Sequence, residues 1–94
     1  MAEKEKKVIK GITKSGFSFE VDEAVFNDAE LLEDLAALDD GDVMKYPKVV
    51  KKVLGTKQKA KLYDHVRDEN GIVPLDKLGD EILDIFNANR KGKN

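Results

Sequence analysis

Ninety-four residues can enclose one hydrophobic core but not two, and without cysteine there is neither a disulfide scaffold nor a thiolate metal site, so packing must hold the fold. No apolar run approaches the roughly 20 residues of a membrane helix, and the charged opening MAEKEKKVIK lacks the apolar stretch of a secretory signal. Net charge is only −2, yet it is segregated: Glu20 to Asp42 carries ten acidic residues and no basic one, Lys45 to Lys61 seven basic and no acidic one.

Residues 1–7 read as a charged, disordered tail. Val8 to Thr13 and Phe17 to Val21 then form a hairpin. In FSFEV the apolar Phe17, Phe19 and Val21 alternate with Ser18 and Glu20, the period of a half-buried strand, and Lys14-Ser15-Gly16 supplies the turn. A lone hairpin is marginal in water, so its apolar face needs helices to rest on.

Asp22 is placed to cap a short helical turn carrying Val25 and Phe26. Asn27 or Asp28 then caps a helix over Ala29 to Leu38 whose expected buried stripe is Leu31, Leu32, Leu35 and Leu38. Asp39-Asp40-Gly41-Asp42 stops it, since aspartates prefer turns and Gly41 suits a left-handed position. Pro47 belongs in the first turn of the next helix, where its missing N–H costs nothing. Tyr46, Val49, Val50, Val53 and Leu54 share one helical face, and Leu62, Tyr63 and Val66 resume the pattern after a break at Gly55-Thr56. The spacing therefore predicts two helices there, over 47–54 and 57–67, with lysines on the opposite face. Asp68 to Gly71 turns the chain, Ile72-Val73 is held extended ahead of Pro74, and a last helix over 75–88 buries Leu75, Leu78, Ile82, Ile85 and Phe86. The expected fold is mainly α with α+β character: four or so short helices and an N-terminal β-hairpin, a single domain over 8–89 followed by a basic tail at 90–94.

Catalytic and metal chemistry find little support. RDENGIVPLDKLGDEI is similar in outline to a calcium loop, but with Gly71 at the sixth position the first falls on Val66 and the twelfth on Lys77, which removes two oxygen ligands. Asx turns account for Asp68, Asn70 and Gly71 without a metal. His65, the sole histidine, has no cysteine or second histidine to share a metal and no nucleophile beside it in the sequence. No cofactor motif is present, and the reading is of a protein that is not an enzyme. The lysines of 45–67 and the short link Leu54-Gly55-Thr56 raise a DNA-binding helix pair as the alternative. The cluster lacks arginine before Arg67, and the acidic half of the domain would repel DNA, so the balance is against nucleic acid.

The segments GFSFEVDEAVFNDAELLEDLAALDDGD, YPKVVKKVLGTKQKAKLYDHVRDENGIVPLDKL and GDEILDIFNA, in that order, carry a family resemblance. From Gly16 onward the chain resembles the tail assembly chaperones of long-tailed bacteriophages and prophages of Gram-positive hosts. That resemblance implies a cytoplasmic, non-enzymatic protein absent from the finished virion. Such a protein binds the tape measure protein, keeps it soluble and helps recruit tail tube subunits, and in many such phages a frameshift yields a longer form. It transfers no fixed set of site residues. The segregated charge allows internal pairing, self-association or two distinct partner surfaces. The candidates for partner contact are Tyr46, Lys48, Val49, Lys51, Lys52 and Lys59: the lysines as an exposed cationic surface, and Tyr46 and Val49 within an apolar seam whose competing reading is core.

Overall fold

The computed structural model describes residues 7–91. Its elements are strands β1 (Val8–Ile12) and β2 (Ser18–Asp22), helices α1 (Ala29–Asp39), α2 (Tyr46–Val66) and α3 (Leu75–Lys91), and 3-10 turns at Glu23–Asn27 and Val43–Lys45. The N-terminal hairpin and the helical body match the expected class. The helix count is three rather than four or so, because the two helices expected on either side of Gly55 run together as α2. Gly55 nonetheless leaves the helical region, at φ 82° and ψ 166°, so α2 is kinked where the sequence breaks its pattern. Residues 1–6 and 92–94 of the two expected tails lie outside the described residues. The carbonyl of Lys7 accepts a hydrogen bond from Glu23 N–H at 2.8 Å, which extends the hairpin ladder, and α3 continues through positions 90 and 91.

The turns form as their residues dictate. Thr13 and Phe17 close a three-residue loop in which Gly16 takes φ 98°, open to glycine at no steric cost. Asp22, Asp28 and Asp42 each accept a backbone N–H two residues on, from Ala24, Glu30 and Met44, and so cap the two 3-10 turns and α1. Asp68 accepts from both Asn70 N–H and Ile72 N–H, so the stretch that looks like a calcium loop is closed by an Asx turn.

The core is a sandwich of the hairpin's inner face against the helices. Phe17, Phe19 and Val21 of the hairpin meet Val49, Val50, Val53, Leu54, Leu62 and Val66 of α2, with Leu78, Ile82 and Ile85 of α3 and Leu31 of α1. Phe26 and Phe86 pack edge to face at 5.2 Å around its margin. Two expected core residues are outside it. Leu32 is exposed, because Leu31 and the residues three, four and seven positions on already fill the buried face of α1. Leu75 is exposed because it begins α3 one turn before Leu78, at the edge of the core.

Candidate interaction surfaces

The charge segregation resolves first. Asp34 sits on the buried face of α1, with Lys45 Nζ 3.7 Å and Lys48 Nζ 3.8 Å from its two carboxylate oxygens. Lys52 Nζ lies 3.6 Å from Asp28 and donates to Glu30 at 3.2 Å. The hydrogen bond to Glu30, aided by the charges of Asp28 and Asp34, raises the Lys52 pKa above its ordinary value against the opposing effect of burial. Lys45, Lys48 and Lys52 are thus paired with Asp28, Glu30 and Asp34 within the fold. Among the described residues Lys51, Lys57, Lys59 and Lys61 of α2 make no ion pair, and they are the cationic side chains that remain.

The candidates for partner contact therefore separate. Val49 is 0% exposed and lies in the core, so it offers no surface to a partner. Lys48 and Lys52 are tied to α1. Lys51 projects freely, and Lys59 lies over the Tyr63 ring, 5.4 Å from its centroid. Tyr46 is half-buried and belongs to a different feature, which only the tertiary structure brings together.

That feature is an apolar depression of about 270 Å³ where the start of α2, its C-terminal half and the start of α3 converge. Leu78, Tyr46, Tyr63 and Val73 form its less accessible part; Val43, Met44, Pro47 and Leu75 stand exposed around them, Met44 at 81%. Its lining carries no charged side chain, and the two tyrosine hydroxyls are its polar side-chain groups. Burial raises the Tyr63 pKa above its ordinary value, as expected for a phenol in an apolar wall. A flexible thioether beside two aromatic rings suits an apolar helix that presents varied side chains.

A polar node lies on another face. Ser15, at the hairpin turn, donates to Glu81 Oε2 on α3 at 2.5 Å and lies 2.9 Å from His65 Nε2 at the end of α2. Since the serine proton goes to Glu81, Nε2 of His65 is the donor to Ser15. A hydrolytic triad needs the reverse, with the serine proton passed to histidine and the carboxylate on the other ring nitrogen. Lys14 N–H adds a bond to Asp84 at 2.9 Å, and Phe17 packs on the His65 ring at 5.5 Å. The node pins the turn to α2 and α3. Among the described residues no group of three or more His, Cys, Asp or Glu side chains is placed to hold a metal ion, and no helix is long and apolar enough to cross a membrane.

No match to the chain was found among protein-family models, curated proteins or solved structures.

Proposed function

We propose that this chain is a tail assembly chaperone of a long-tailed bacteriophage. In this reading it works in the host cytoplasm, binds an apolar helical segment of the tape measure protein, keeps that client soluble and helps bring tail tube subunits to it, then leaves before the virion is complete. It performs no catalysis and takes no cofactor. The observation that carries the proposal is the uncharged depression around Tyr46, Tyr63, Val73 and Leu78, edged by the exposed Met44 and Leu75. An apolar client helix would lie there by helix-in-groove docking, its acidic flank facing Lys59 beside Tyr63 and the unpaired Lys51. A DNA-associated role for the basic helix pair draws less support, since Lys45, Lys48 and Lys52 already face carboxylates.

Co-expression with the tape measure protein encoded nearby tests the proposal, scoring soluble client with and without this chain and with any longer frameshifted form. The expected result is more soluble client and a complex that purifies as one. Failure of both forms overturns it. A duplex-DNA titration runs alongside: affinity falling steeply with salt would favour the nucleic-acid reading instead.

A further inference from the structure

The hairpin has two edges, and they are treated differently. At β2, the side-chain amide of Gln58 accepts from Glu20 N–H at 2.8 Å and donates to Glu20 C=O at 2.7 Å. The amide thereby occupies the place that a further strand would take. Gln58 also donates to Leu54 C=O at 2.9 Å, which anchors it across the kink of α2. That edge is closed at its centre.

The outward edge of β1, the strand that α3 packs against, carries no such bond among the described residues. Lys7 pairs with Glu23 and Thr13 with Phe17 through ladder bonds, so with the observed register Ile9 and Gly11 also direct their backbone groups toward β2. Val8, Lys10 and Ile12 therefore turn their N–H and C=O groups outward, and among the described residues these groups meet no partner. Their side chains stand on the solvent face, where Ile12 is 70% exposed and Val8 46%. An unpaired strand carrying exposed aliphatic side chains is a template for strand addition.

We propose that β1 pairs antiparallel with β1 of a second copy, making a four-stranded sheet across a two-fold axis at Lys10. The strand is complementary to itself in this register. All three outward-facing residues find hydrogen-bonded counterparts, Val8 lies opposite Ile12 of the other copy on both sides of the axis, and four exposed aliphatic side chains become two cross-strand pairs. Registers displaced by two residues leave one of the three unmatched. The two Lys10 side chains face each other at the centre, which opposes the pairing. Each has Glu20 beside it at 3.8 Å, so the sheet carries the charge order Glu–Lys–Lys–Glu. A five-residue edge makes a small interface, so the association is weak and depends on concentration. It does not use the apolar depression, and it holds whether or not the client assignment does.

Position 10 gives an opposed pair of variants. Lys10→Thr removes the like charges while keeping strand preference, and it is expected to tighten the dimer. Lys10→Pro removes an outward N–H that the monomer does not use, and it is expected to weaken the dimer about tenfold or more. Ile12→Lys should weaken it as well. Sedimentation equilibrium of the full chain reads the association, circular dichroism verifies folding, and amide exchange at Val8, Lys10 and Ile12 should slow as concentration rises. Should Lys10→Pro prove unfolded, the Lys10→Thr and Ile12→Lys pair and the exchange data still decide. A wild-type chain that stays monomeric at millimolar concentration overturns the proposal. So does a dimer indifferent to Lys10→Thr and Ile12→Lys, whose interface must then lie elsewhere.

Discussion

The hydroxyl of Tyr46 lies against helix α3 at Gly79, where a Cβ on the glycine would come within 2.7 Å of the phenolic oxygen and 3.6 Å of the ring carbon that bears it. A glycine inside a helix costs about 1 kcal/mol relative to alanine. Here it admits the end of a side chain that shapes the apolar depression. Gly79→Ala should therefore show no net gain in the wild-type chain, because the hydroxyl must move. In a Tyr46→Phe background the obstructing oxygen is gone and the remaining contact is ordinary, so the same substitution should stabilise by about 1 kcal/mol. A double-mutant cycle in urea measures the difference.

Gly11 faces a harder obstacle. It pairs with Phe19 across the hairpin, and a Cβ there would sit 2.8 Å from the Phe19 ring, itself packed in the core. Gly11→Ala forces a buried ring aside and should cost about 1–3 kcal/mol. Denaturant midpoints report the loss, and Phe19→Leu added to Gly11→Ala should cost less than the sum of the two single changes.

These two glycines mark the limit of what the sequence discloses. The alternation of Phe17, Phe19 and Val21, the aspartate caps, Pro47 in the first turn of α2 and the break at Gly55 are local, fixed by residues within a turn of one another, and were legible. Position 11 reads as any strand residue until Phe19 is seen across from it, and Gly79 reads as a defect until Tyr46 arrives from a remote segment. Gln58 at Glu20, and Ser15 at His65 and Glu81, likewise join residues far apart in the chain, with no periodic pattern to announce them. Met44 reads as a single apolar residue and Leu75 as one of a buried stripe; their convergence on one depression is tertiary. Asp34 misleads in the opposite sense, since a carboxylate amid leucines passes for a solvent-facing residue until Lys45 and Lys48 are seen at its oxygens.

The Ser15–Glu81 contact should be worth a measurable part of the stability. Glu81 is 4% exposed, and its Oε1 has no hydrogen-bond partner among the described residues. Ser15→Ala would leave the other carboxylate oxygen unpaired as well, at a cost of about 1.5–3 kcal/mol. Adding Glu81→Met to Ser15→Ala removes the stranded carboxylate and should recover most of it. If Glu81→Met fails to recover stability, the loss arises from the turn itself and not from the carboxylate.

Alkaline pH should loosen the fold through two groups. Lys52, raised above 10.5 by Glu30, contributes stability that is complete below that value and lost as pH rises through its folded pKa. Tyr63, raised above 10.0 by burial, keeps its proton longer folded than unfolded, so stability again falls once the unfolded phenol ionises. Both have the same sign, and no gain in stability is expected from either above pH 10.5. Urea midpoints followed upward from neutral pH should decline, with a shallower decline in Lys52→Gln and in Tyr63→Phe.

Surface and core should separate cleanly if the depression around Tyr46 receives the client. Val49→Ala deletes two methyl groups from a fully buried site and should cost about 2–3 kcal/mol of stability. Its effect on client binding in the folded fraction should be small. Met44→Glu alters an exposed residue and should leave stability within about 0.5 kcal/mol. It places a charge where an apolar client helix would lie, and should weaken the complex about 10-fold to 100-fold, the worth of burying one such side chain. Lys51→Glu should weaken it less and make what remains less sensitive to salt. Lys52 is a poor choice for the same reversal, because it would place a third carboxylate beside Asp28 and Glu30. Client pull-down at two salt concentrations, with thermal unfolding of each variant, reads both effects. A Met44→Glu chain that is folded and binds as the wild type does would move the client to another face.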